Sequence, residues 1–343
     1  MAILLNEMRT GMSDKIAQAV VDTFIRKSEI LELLPFDNCV SPGTGSTLTY
    51  GYVQKKLPST TAFRKINSEY TPSEATVEKK TVDLKVFGGA FQIDRVIKQA
   101  EGMYDNMALQ LEEKIASAVG TFHNALINGD VATNADGFDG LDKFLVGTKN
   151  EMNTGAIIDL STTAKVKENA DVFYEALLAL INRTGAQALL LNEGMKTKIQ
   201  TVARILGYKT ESEEAFGRVI TTIGENKVRL IDLKNVCTPS STSESDRATA
   251  TVTETPVISG NLSRKVPSSA QTATTGLTDI YAVRFSVQDG FHGITLTGDN
   301  AIHQYLPDFN TPGAVKKGEV EMVAACALKN TNAAGVLRNI KII

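Results

Sequence analysis

The sequence predicts an α+β protein of one large domain or two lobes, with two parts that reach away from the body. Three observations predict this. Residues 41–80 read as a hairpin with too few large apolar side chains to bury a core of its own. A single long amphipathic helix follows, from about Tyr104 to Asn128. After it, helices and strands alternate before the chain closes in β structure. Such an order suits a subunit built to be tiled.

The first element expected is a helix from about Ser13 to Leu34. Ile16, Val20, Phe24, Leu31 and Leu34 recur at roughly helical spacing. Ser13 suits an N-cap and Pro35 ends the segment. An amphipathic helix so placed needs a surface to lie on, its own chain's or a neighbour's.

From Ser41 to Lys80 the texture changes to Thr, Ser, Tyr and Val, opened by Gly43 and Gly45. Thr47 to Lys55 favours a strand. Pro58 to Arg64 reads as the far end of the hairpin, with positive charge from Lys55, Lys56, Arg64 and Lys65. A lone hairpin is marginal in water. Contact with another subunit is therefore expected to order it; the cluster Lys55, Lys56 and Lys65 reads either as what keeps the hairpin soluble or, the favoured reading, as a tip that pairs with acidic residues of that subunit.

Thr81 to Val96 follows as a strand. Val82, Leu84 and Val86 share one parity, and Phe91 and Ile93 take the other after Gly88 and Gly89. A one-residue slip at a double glycine predicts a bulge or sharp bend there. The long helix then carries Met107, Leu111, Ile115, Val119, Phe122 and Leu126 as one stripe, and Gly129 stops it. Twenty-five residues at 1.5 Å each make a rod roughly 37 Å long.

Asp171 to Thr184 is expected as a helix and Gln187 to Leu191 as a short buried strand. Asn192 caps a further helix to about Leu206, closed by Gly207, and Val228 to Leu233 is another strand. Thr238 to Gly276 is nearly half Ser and Thr and reads as a surface insertion. Asp279 to Ser286 and Glu319 to Leu328 are strands; in the latter Val320, Met322, Ala324, Cys326 and Leu328 share a face. Lys329 to Asn332 turns the chain, and a last strand near Val336 to Ile342 closes a hairpin.

Bulk composition excludes several classes. At 42% hydrophobic and 22% charged, 343 residues are enough for a core and ordinary for a globular protein. A net charge of −3 argues against a main task of gripping nucleic acid, though not against enclosing it. Cys39, Cys237 and Cys326 lie far apart, with no zinc spacing, as thiols of a reducing compartment. The opening run Met1 to Leu5 meets Asn6, Glu7 and Arg9, too soon for a signal peptide. No stretch of eighteen apolar residues predicts a membrane span.

Nothing catalytic is expected. His123, His292 and His303 have no triad or metal partners at a telling spacing. Asp130, Asn134, Asp136 and Asp139 look superficially like a calcium loop, but Ala132 holds the first ligand position and Lys143 stands where a bidentate Glu belongs. Gly43 and Gly45 lack the third glycine of a phosphate cradle. The carboxylate pairs Glu112–Glu113 and Glu213–Glu214 read as solvated faces. An α/β enzyme would need a His or carboxylate constellation between Gln187 and Leu233, a block without histidine. The reading is no enzyme, no cofactor and no metal.

Four stretches carry a family resemblance. They are Leu33-Leu34-Pro35-Phe36; Thr61 to Arg64 through Gly88-Gly89-Ala90-Phe91-Gln92-Ile93-Asp94-Arg95; Gln187 to Leu191 with Asn192 and its helix; and Ala324 to Arg338 with Asn330. In this order the chain resembles the major capsid proteins of tailed bacteriophages, whose Hong Kong phage-type capsid fold is shared with encapsulins. The resemblance implies an N-arm (1–40), an extended E-loop (41–80), and a peripheral domain with its spine helix (81–170). It further implies an axial α/β domain (171–310, with the insertion 238–276) and a return to the peripheral domain (311–343). The implied function is self-assembly into hexamers and pentamers that form an icosahedral head around double-stranded DNA, without sequence-specific binding or a membrane. Implied inter-subunit contacts are Lys55, Lys56, Arg64 and Lys65 on the E-loop and Phe24, Leu31 and Leu34 on the N-arm. Implied partners are a scaffolding protein (separate, or a scaffolding region removed beforehand), a portal and decoration proteins, with assembly in the host cytoplasm and residence in the virion. The alternative is an encapsulin-type compartment around cargo enzymes.

Overall fold

The computed structural model describes residues 2–4, 27–40, 47–57, 59–99, 106–208, 210–215, 218–224, 226–239, 251–296 and 302–343. In chain order they form β1 (Ala2–Leu4), α1 (Glu29–Leu33), β2 (Pro35–Val40), β3 (Thr49–Leu57), β4 (Thr76–Asp83), β5 (Lys85–Asp94), α2 (Arg95–Gln99) and α3 (Asn106–Asn128). Next come α4 (Leu141–Leu145), β6 (Glu151–Met152), β7 (Ile158–Asp159), α5 (Thr163–Thr184), β8 (Ala188–Leu191), α6 (Glu193–Leu206), β9 (Glu211–Ala215), β10 (Arg218–Ile223) and β11 (Val228–Asp232). The last are β12 (Asn235–Pro239), β13 (Val252–Pro256), β14 (Leu262–Arg264), β15 (Thr274–Val283), β16 (Phe291–Leu296), β17 (Ile302–Tyr305), β18 (Val315–Leu328) and β19 (Ala334–Lys341).

Two sheets organise the body. One has the order β1-β2-β16-β18-β17, with β5 also on β18; the other has the order β6-β19-β15-β8-β11-β10-β9, with β14 on β15 and β7 on β19. Alternation along the second sheet splits its side chains between two cores. Ala188, Leu190, Ile231, Tyr281, Val283 and Val336 face the core shared with α1, α3, α4 and the first sheet. Leu189, Leu191, Leu230, Ile280, Ala282 and Leu337 face the core under α5 and α6. A sheet covered on both faces explains why β8 reads as a continuous apolar run rather than an alternating one.

Local signals account for the helix ends. Thr162 caps α5, Asn192 caps α6 by accepting the Met195 N–H at 2.7 Å, and Gly185 and Gly207 end them in the left-handed conformation. The α5 helix starts eight residues before the expected Asp171, at its Thr162 cap. The rod helix α3 spans 23 residues, about 35 Å. No helix among the described residues is long and apolar enough to cross a membrane.

Four expectations change. First, Ser28 is extended (φ −136°, ψ 117°), which rules out a continuous helix from Ser13 to Leu34. Its hydroxyl accepts the Leu31 N–H and starts a new short helix, α1. Residues 5–26, with Phe24, lie outside the described residues.

Second, Gly88 and Gly89 mark no bulge. The β5–β18 register runs unbroken from Val315↔Asp94 to Ala324↔Lys85, through both glycines. The change of parity is real but sits at Leu84, where the chain leaves its pairing with β3 and joins β18. Gly88 serves close approach instead: a Cβ there would collide with the Val320 carbonyl oxygen.

Third, the two last strands do not form a hairpin. β18 pairs with β16, β17 and β5, while β19 crosses to β15, β6 and β7. Residues 311–343 therefore serve both sheets, because the 3-10 turn Thr331–Ala333 lets the chain change layers. Fourth, the expected domain limits cut across these sheets: β6 and β7 lie in the second sheet, and β16 in the first. The Ser/Thr-rich insertion contributes β13, which pairs antiparallel with β12 at its border, and residues 240–250 lie outside the described ones.

Candidate assembly surface

The β3–β4 hairpin is its own two-stranded sheet. Its root is fastened to the body. Tyr50 and Tyr52 are buried, and the Tyr50 hydroxyl donates to Asp37 Oδ2 at 2.9 Å. The Tyr50 ring also meets His292 edge-on at 5.9 Å and carries Lys329 over its face at 5.5 Å. Beyond the root, every residue from Ser59 to Thr81 is exposed.

The exposed part has its own internal order. Arg64 Nη1 donates to the Lys65 and Ser68 carbonyl oxygens, and its guanidinium lies 5.3 Å from the centre of the Tyr70 ring. The Thr60 N–H donates to Ser73 Oγ across the two legs. What this loop cannot do is bury its apolar side chains. Phe63 is 106% exposed and Ile66 90%, with Tyr70, Val53 and Val77 above 60%. The sequence holds few large apolar residues here; the structure adds that those between Ser59 and Thr81 are all exposed.

The other expected contacts divide. Arg64 and Lys65 lie exposed on the tip. Lys55 and Lys56 belong to β3, and their side chains lie outside the described set. Leu31 and Leu34 are 0% exposed, packed into their own chain's core beside Ile30 and Phe36. This corrects their place as N-arm contacts with a neighbour, since a side chain without accessible area has none left to offer.

Two of the three histidines are structural joints. His123 Nε2 accepts from the Ser28 hydroxyl at 2.7 Å, and its Nδ1 donates to the Leu233 carbonyl at 3.2 Å. One ring thereby ties α1, α3 and the end of β11 together. Burial lowers its pKa to about 4. His292, wholly buried against Tyr50, is also lowered to about 4, by burial first and Lys329 second.

Sequence reading missed the buried charge cluster around Arg338. Its guanidinium meets Asp142 at 2.6 Å, Glu151 at 3.0 Å and Asp279 at 3.0 Å, joining α4, β6, β15 and β19. Arg264 meets the other oxygen of Asp279 at 2.7 Å. Burial works against the Arg338 charge, but Tyr281, Asp279 and Asp142 outweigh it and hold the pKa above its ordinary value. No spacing rule finds this cluster, because its members lie up to 196 residues apart.

In the loop that failed the calcium pattern, Lys143 itself pairs with Asp130 at 2.8 Å. Among the described residues no group of three or more His, Cys, Asp or Glu is placed to hold a metal ion.

No family model matches the sequence, and no curated protein matches it. Solved structures do match. The holo-SrpI encapsulin complex from Synechococcus elongatus PCC 7942 aligns over 91% of this chain and 87% of its own, at 14% identity and a TM-score of 0.52. A chain from Mycobacterium phage Bobi aligns over 92% and 90%, at 10% identity and a TM-score of 0.52. At these identities the likeness is one of fold, and it runs nearly the full length of both partners.

Proposed function

We propose that this chain, whose fold is the Hong Kong phage-type capsid fold, is a major capsid protein. Its copies assemble into hexamers and pentamers that close an icosahedral head around double-stranded DNA. The projecting hairpin carries this reading. It exposes every residue from Ser59 to Thr81 and turns Phe63 and Ile66 to solvent. Exposed apolar patches mark interaction surfaces, and here a neighbouring copy covers them. Each such contact can be weak, because several per subunit act together. A net charge of −3 suits a container that encloses DNA without gripping it. In this reading a scaffolding protein, a portal and decoration proteins complete the head, which is built in the host cytoplasm and leaves in the virion.

A second reading has one observation in its favour, the full-length likeness to an encapsulin. The same tiling would then enclose cargo enzymes instead of a genome.

Negative-stain electron microscopy of the purified chain tests the tiling. Closed shells or capsomer rings are expected, and nuclease-protected DNA inside them separates head from compartment. Small monodisperse particles, persisting after scaffolding factors are added, overturn the reading. Deleting Lys55 to Arg64 should leave a folded, soluble subunit that no longer forms shells. Intact shells from that deletion would remove the hairpin from the mechanism.

A further inference from the structure

A polar cleft of about 710 Å³ lies beside the root of the β3–β4 hairpin. Its walls are Val53 and Gln54 of β3, the loop 147–150 before β6, the turn between β15 and β16, and the turn between β18 and β19. The size is that of a small-molecule site, but the lining is not apolar. Among the described residues that line it, Val53 is the one large apolar side chain; amides, hydroxyls and charges supply most of the rest.

The charges do not balance. Lys149 and Lys329 both line the cleft, and among the described residues neither meets a carboxylate. Lys329 is partly buried, and its Nζ donates to a neutral partner, the Val287 carbonyl, at 2.8 Å. Arg183 adds a cation beside Lys149, donating to that residue's carbonyl at 2.9 Å. Asp289 is the sole acid among the described lining residues, and Arg284 already holds it at 3.0 Å. A concave wall of one sign concentrates ions of the other, and lysine is a frequent phosphate binder.

Asn150 narrows the ligand further. It lines the cleft and is 1% exposed. Its Nδ2 donates to the Thr331 and Ala334 carbonyls at 2.8 and 2.9 Å, which fixes the orientation of the amide. Its Oδ1 is left without a partner. A buried acceptor without a donor is costly. A bare anion brings no donor to meet it, whereas a hydroxyl does.

We propose that this cleft binds a phosphate ester bearing a free hydroxyl, of the ribose phosphate class. Lys149 and Lys329 hold the phosphate, the side-chain N–H groups of Gln54, Asn330 and Asn332 meet its other oxygens, and a sugar hydroxyl donates to Asn150 Oδ1. The site does not depend on the tiling read above. Such a unit reaches the chain as a free nucleotide or within an RNA strand.

Isothermal titration calorimetry of the unassembled chain tests the site. The probes are ribose 5-phosphate, adenosine monophosphate and a short oligoribonucleotide, with sulfate and ribose as partial ligands. Ribose 5-phosphate should saturate with a Kd below about 1 mM, and sulfate and ribose should each bind at least about tenfold more weakly. Lys149→Glu should weaken ribose 5-phosphate about tenfold or more, while Lys317→Glu, at an exposed lysine outside the cleft, should leave it unchanged. Both side chains are exposed, so the urea midpoint of each variant should match that of the wild type. Tighter binding of the oligoribonucleotide than of adenosine monophosphate assigns the ligand to an RNA strand, and the reverse order assigns it to free nucleotides. Sulfate binding as tightly as ribose 5-phosphate overturns the hydroxyl contact and the ligand class with it. No saturation by any phosphate probe at about 10 mM, or equal losses in the two variants, overturns the site. Shell formation stands or falls separately, by electron microscopy.

Discussion

His123 sits where three elements meet, and its chemistry sets a pH limit on the subunit. Unfolded, a histidine titrates near 6.5; folded, His123 and His292 titrate at about 4. Between those values the unfolded chain holds more protons, so folding is favoured fully above pH 6.5 and loses ground as pH falls toward 4. Each ring contributes a slope of about 1.4 kcal/mol per pH unit in that window. Urea unfolding of the unassembled chain from pH 7 to 4.5 should follow that slope, and His123→Gln should remove about half of it. An unchanged slope in the variant would sink the assignment. Leu31 gives a second test at this scale. As a fully buried side chain, Leu31→Ala should cost the isolated subunit about 2–5 kcal/mol, read from the same unfolding curves. A purely inter-subunit role predicts no change there.

Among the elements, β5 separates what pattern reveals from what it does not. The parity change between Leu84 and Phe91 is legible in the sequence, yet the double glycine draws attention away from its true place. Register along β5 is continuous, and the slip falls where the chain exchanges β3 for β18. The two glycines then differ in what they tolerate. A Cβ at Gly88 meets the Val320 carbonyl, whereas one at Gly89 meets only the flexible Lys114 chain at 3.5 Å. Gly88→Ala should therefore destabilise the subunit by about 1–3 kcal/mol, and Gly89→Ala should be close to neutral. Thermal unfolding of the two variants side by side checks this, and equal midpoints would refute the close-approach role. Helices were easier to read. Asn192 with Gly207, and Gly129 after the long stripe, announce ends that the structure keeps.

For the whole molecule, the body and its projections obey different rules. The second sheet is sealed between two cores, while the distal hairpin has no core of its own. The sequence by itself determined the periodic elements and the hairpin's poverty of self-burial, because these depend on neighbours close along the chain. Only the tertiary structure decided which strands pair, that β18 and β19 part company, that Leu31 and Leu34 turn inward, and that Arg338 gathers three carboxylates. The physical reason is range. Helical stripes, caps and turns are encoded within a few residues, whereas burial and charge pairing depend on groups brought together from opposite ends of the chain.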